Sequence, residues 1–174
     1  MMPFAQPLLT LLQRTERGLD AIIRPVVFAC MVALIGVITL QIVSRVLFTA
    51  VGWTEELARF LLVWLTFLGA TLAFQRGRHI AVTFMVDALP ARLRQLTRFV
   101  ALIVVLAFLV SLIVIGYRYM QVQSFQKSAS LRISMTYVYA VMPFCSAIMA
   151  WYTLVDLLET LVHGKPGTPQ EPSP

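Results

Sequence analysis

The chemically capable side chains of this sequence gather in one stretch, Gly52-Trp53-Thr54-Glu55-Glu56-Leu57-Ala58-Arg59-Phe60. Thr54 suits a helix N-cap, which puts Glu55 and Glu56 in the first turn, where negative charge meets the positive end of the helix dipole. Glu55 and Arg59 stand at i and i+4 in the order that favours an ion pair. Arg45, near the end of the preceding apolar run, is placed to approach Glu55 or Glu56, and Trp53 suits a membrane–water interface. Two readings of the group stay open. Either it is a cap whose arginine snorkels to the headgroups, or it is a surface that docks a partner or lipid. A second group, Arg76, Arg78 and His79, reads as positive anchors touching lipid phosphates, with His79 also available to bond a neighbouring helix.

Elsewhere the sequence offers little chemistry. His79 and His163 lie outside the apolar runs, which argues against a bis-histidine haem site. HExxH, GxSxG and Gly-rich phosphate loops do not occur. Cys30 and Cys145 lie far apart inside apolar runs and read as packing residues. Glu55, Glu56, Asp156 and Glu159 sit at helix ends, whereas ion-coupled carriers usually hold ionisable groups near the membrane midplane. The expectation is a membrane scaffold or accessory subunit without catalytic residues, cofactor or metal, and the alternative is a stand-alone channel-like oligomer.

The elements that must position these groups are membrane spans. Of 174 residues, 59% are hydrophobic and only 13% are charged, about half the charge of an ordinary soluble domain. Charge-free runs at 25–44, 60–75, 99–117 and 133–155 match the roughly 20 residues that cross a hydrocarbon core, the second once Arg59 snorkels. This defines an all-α integral membrane protein with four spans, expected at about 25–49, 54–75, 91–121 and 134–162. Residues 1–24 are expected to hold a separate amphipathic interfacial helix, with Pro25 opening the first span. A second interfacial helix is expected over 79–89, stopped by Pro90. Pro143 is expected near the middle of span four as a kink, and 163–174 as a disordered tail. The net charge of +6 fits a membrane rather than nucleic acid. Arg14, Arg17 and Arg24, then Arg76, Arg78, Arg92, Arg94 and Arg98, place both termini in the cytoplasm by the positive-inside rule.

On this frame the sequence resembles the small membrane subunit of tripartite ATP-independent periplasmic (TRAP) transporters. The resemblance runs from about Arg24 to Leu161. It rests on Ser44-Arg45, Trp53-Thr54-Glu55-Glu56-Leu57-Ala58-Arg59, Trp64-Leu65-Thr66-Phe67-Leu68-Gly69-Ala70, Arg78-His79-Ile80-Ala81-Val82, Leu89-Pro90, and Tyr139 four residues before Pro143. Two departures fall at span four: Phe144-Cys145-Ser146 follow the proline where a small residue is common, and Ile133-Ser134 stand where a proline is frequent. The resemblance implies a scaffold in the bacterial inner membrane for a large, sodium-coupled transport subunit. It also implies a periplasmic binding protein that delivers an organic acid, with Arg45, Trp53, Glu55, Glu56 and Arg59 organising the periplasmic end and the subunit contact.

Overall fold

The computed structural model describes the backbone of residues 5–47, 52–86 and 91–163, and side chains over 14–47, 52–77 and 96–161. Among the described residues, five α-helices carry the fold: α1 (Ala5–Leu47), α2 (Gly52–Val86), α3 (Ala91–Val122), α4 (Met135–Tyr139) and α5 (Val141–His163). A 3-10 turn, Gln123–Phe125, follows α3. Four candidate spans result, Arg14–Leu47, Gly52–Gly77, Leu96–Phe125 and Met135–Leu161, each long and apolar enough to cross a membrane. The expected disorder of the C-terminal tail, and the part of the 79–89 segment beyond Val86, lie outside the described residues.

Two expected elements are not separate. The amphipathic stretch before Pro25 continues straight into span one, so that α1 is a single helix of 43 residues with Pro25 inside it. At 1.5 Å per residue α1 is about 65 Å long, roughly twice the hydrocarbon thickness. Proline removes one hydrogen bond and strains one turn, but the packing of α1 is unbroken across it. With Leu19 beside them, the less exposed positions are Glu16, Asp20, Ile23, Val27, Cys30, Leu34, Val37, Gln41 and Ser44. Their alternating spacing of four and three is the 3.5-residue seam of a left-handed helix pair, and it runs past Pro25 without a phase shift. Likewise α2 continues through Gly77 to Val86, where a separate interfacial helix was expected. A single glycine costs a helix only about 1 kcal/mol, too little to end one that has no proline before Pro90.

Span four differs as well. The helix is interrupted at Ala140, and Pro143 is the third residue of α5 rather than a kink near the span's middle. The first N–H groups of a helix have no partner within it, so a proline there costs α5 no hydrogen bond of its own. What it removes is the donor for the carbonyl of Tyr139, four residues back, and that is where α4 ends. Ser134 caps α4 by accepting from the Thr136 amide.

Neighbouring helices run in the order α1, α2, α5, α3, with α3 lying along α5 and α1 along α2. The core gathers Ile23 of α1, Leu68 of α2, and Val141, Cys145, Ile148 and Tyr152 of α5. In lipid such contacts gain from dispersion and close packing rather than from leaving water. Among the described glycines, close approach is tightest at Gly116 of α3, where an added Cβ would lie 3.2 Å from Pro143 Cδ and 3.3 Å from Met142 Cγ. Six hydroxyls inside the spans are satisfied locally, whereas the buried Ser146 hydroxyl of α5 has no hydrogen-bond partner among the described residues. Thr39, Thr66, Thr71, Ser111, Thr153 and Thr160 each donate to the carbonyl four residues back at 2.7–2.9 Å, as a site without water requires. Asp156, expected at a helix end, lies buried about two turns before the end of α5.

Candidate functional site

The polar end of the bundle is built from the first turns of α2 and the connection between α3 and α4. α2 begins at Gly52, so Thr54 is fully buried inside its first turn rather than standing as the N-cap. Glu55 and Glu56 are one residue apart and about 100° apart around the axis, and they do different things. Glu55 points outward and pairs with Arg59 on its own helix, both side chains more than half exposed. Glu56 reaches across to the α3–α4 loop. Its carboxylate accepts from the Ser128 hydroxyl, from the Ser130 amide at 3.1 Å to each oxygen, and from the Leu131 amide at 3.1 Å.

The loop is shaped to make those donors converge. Ser128 N donates to Ile133 O at 2.9 Å, Arg132 N to Ser128 O at 3.1 Å and Met135 N to Gln126 O at 3.0 Å, so Lys127 and Ser134 face each other as one antiparallel bridge. Arg132 holds a left-handed φ of 53°, which turns the chain and aims successive amides at one point. Consecutive backbone N–H groups of this kind form a concavity for an anion, and Glu56 fills it. Gly52 lies beneath, with Ser130 Oγ 3.4 Å from where its Cβ would be. Beside the loop Tyr139 packs edge-on against Tyr119 at 4.9 Å between ring centres, and Gln123 Nε2 donates to the Tyr119 hydroxyl at 3.0 Å. These contacts tie α4 to the end of α3.

Of the residues singled out from sequence, the structure brings Glu55 to Arg59 and leaves Trp53 partly exposed at the start of α2. Arg45 does not join them. It is exposed, one position past the seam residue Ser44, and among the described residues it makes no ion pair with Glu55 or Glu56. Arg76 is exposed within α2, and the side chains of Arg78 and His79 lie outside the described residues. Sequence reasoning missed Ser128, Ser130 and Leu131 as the partners of Glu56. Their only advance signal was a polar, serine-rich connection, and neither helical nor strand spacing links residues more than 70 apart in sequence. At the opposite end, Asp20 pairs with Arg24 at 2.6 Å, and Trp151 Nε1 donates to Thr15 Oγ1 at 3.3 Å, holding the start of α1 to α5.

Fold and site together define a small integral membrane protein of four spanning-capable helices whose polar residues order one end of the bundle. Residues 34–163 match the family described as tripartite ATP-independent periplasmic transporters, DctQ component. The chain belongs to this family of small transporter permease subunits, and its relatives are not enzymes. It is 31% identical over 132 residues to the sialic acid TRAP transporter small permease protein SiaQ of Vibrio cholerae, covering 75% of this chain and 76% of that one. Two similar proteins are much longer. The isethionate TRAP transporter permease protein DctMQ of Oleidesulfovibrio alaskensis is 28% identical over 77% of this chain but only 22% of its own length. The sialic acid TRAP transporter permease protein SiaT of Haemophilus influenzae is 29% identical over 68% of this chain and 19% of its own.

Proposed function

We propose that this chain is the scaffold subunit of a sodium-coupled importer of an organic acid in the bacterial inner membrane. It pairs with a large membrane subunit that carries the substrate and sodium sites, and it helps a periplasmic binding protein dock. The observation that carries the reading is the alignment of this chain with about a fifth of two longer permease proteins. A segment found within one long permease in some relatives is, as a separate chain, a partner for the remainder. The broad apolar exposure of α1 and α3, Phe28, Ile35, Ile42, Val104 and Phe108 among them, gives such a partner and the surrounding lipid a surface to cover. The positive-inside arginines set both termini in the cytoplasm, which turns the Glu56-held loop toward the periplasm.

The test is affinity purification of the tagged chain from native membranes, followed by uptake in cells lacking its gene. A larger membrane protein should copurify. Uptake of one acid among sialate, C4-dicarboxylate and isethionate should be lost on deletion, and should depend on a sodium gradient. Solute flux through the purified chain alone, with no larger partner, overturns the proposal in favour of a channel-like oligomer.

A further inference from the structure

The two glutamates divide the work at the loop-bearing end. Glu55 is committed to an exposed pair with Arg59, while Glu56 gathers three donors from a segment more than seventy residues away. All three donors reach Glu56 Oε2 and the Ser130 amide is shared with Oε1; an amide in its place would lose the negative charge and, with its oxygen at Oε2, set its N–H₂ against the Ser130 N–H. The loop so held contains a non-glycine residue in the left-handed region, Arg132, a conformation that persists when surrounding contacts over-determine it. Its charged side chains, Lys127 and Arg132, are both basic and both exposed. Beside them Phe125 is 93% exposed and Tyr137 70% exposed.

We infer that Glu56 is a positioning residue, fixing the 126–134 loop so that Lys127 and Arg132 form a preset basic platform for an acidic face of a soluble partner protein. The inference rests on the docking role proposed above. A protein surface is favoured over anionic lipid because long basic side chains reach headgroups from any backbone, whereas docking a folded partner gains from a loop ordered in advance. Exposed aromatic side chains and arginine, here Phe125, Tyr137 and Arg132, are also what protein interfaces enrich.

The test uses the complex of this chain with its large partner in proteoliposomes, with uptake of the acid identified above driven by rising concentrations of its loaded binding protein. Glu56→Gln should raise the half-saturating concentration of binding protein by about five- to tenfold while leaving the maximal rate near wild type. Hydrogen exchange at the Ser130 and Leu131 amides should accelerate in the same variant. Lys127→Glu with Arg132→Glu should shift half-saturation in the same direction without altering that exchange. The double variant's deficit should shrink at about 1 M salt, where the Debye length is about 3 Å. Half-saturation within about twofold of wild type in the double variant overturns the inference, whether or not Glu56→Gln folds. So does a double variant that loses anionic lipid from nanodiscs with an unchanged binding-protein titration. Wild-type complex that takes up nothing with any binding protein removes the underlying reading too. Normal wild-type uptake with unresponsive variants removes this inference alone.

Discussion

Adjacent glutamates that look equivalent in sequence separate once the loop is in place, and their substitutions should separate too. Glu55→Gln breaks an exposed pair on one helix and should change stability by less than about 1 kcal/mol, read as a shift in thermal unfolding of the purified complex. Glu56→Gln disorganises the loop instead, visible as faster exchange at Ser130 and Leu131. The pairing of Glu55 with Arg59 was legible from spacing alone, because neighbours on one helix are set by its period. The role of Glu56 was not. Its donors are mostly main-chain amides, which carry no residue-type signature, and they are brought near by packing of α2 against α3, α4 and α5. Arg45 illustrates the opposite error. Placed by sequence near the glutamates, it falls one position beyond the buried seam, and a single residue's rotation of about 100° turns it outward.

Helices were foreseen from apolar length, but their joints were not. Proline is expected to divide α1 and to kink span four near its middle, but α1 runs through Pro25, and span four is interrupted at Ala140, three residues before Pro143. The seam from Glu16 to Ser44 carries α1 through Pro25, and Pro143 sits at the start of α5, where its missing donor costs α5 no bond of its own and falls on the carbonyl of Tyr139 at the end of α4. A helix end depends on what packs on either side of a weak point as much as on the weak point itself. The contact between α3 and α5 gives a sharp test. Gly116→Leu must displace Pro143 or Met142, and overpacking of this kind costs about 1–3 kcal/mol. The expected outcome is a lower unfolding temperature in detergent and poorer recovery of the complex. Ser111→Leu, on the exposed side of the same helix, should leave both near wild type. Equal damage from the two would show that lipid exposure, not the α3–α5 approach, limits this span.

For the whole molecule, membrane sidedness decides what each end can meet. An Ala129→Cys variant, altered at an exposed position of the loop, should react with an impermeant maleimide added to cells with a permeabilised outer membrane. A Thr97→Cys variant, altered at an exposed position near the start of α3, should react only after the inner membrane is opened. The native Cys145 is fully buried and Cys30 lies in the α1 seam, so both should label slowly in either state. Reversed accessibility would place the Glu56-held loop in the cytoplasm and remove the docking proposal with it. That loop has one more property, which bears on how such subunits diverge. Glu56 grips it largely through main-chain amides, and every residue except proline supplies one. Side chains at 129, 130 and 131 can therefore change over generations while the turn keeps its shape. Under the proposed docking role, a lineage can retune the charge and bulk this loop shows without first re-solving how the loop folds.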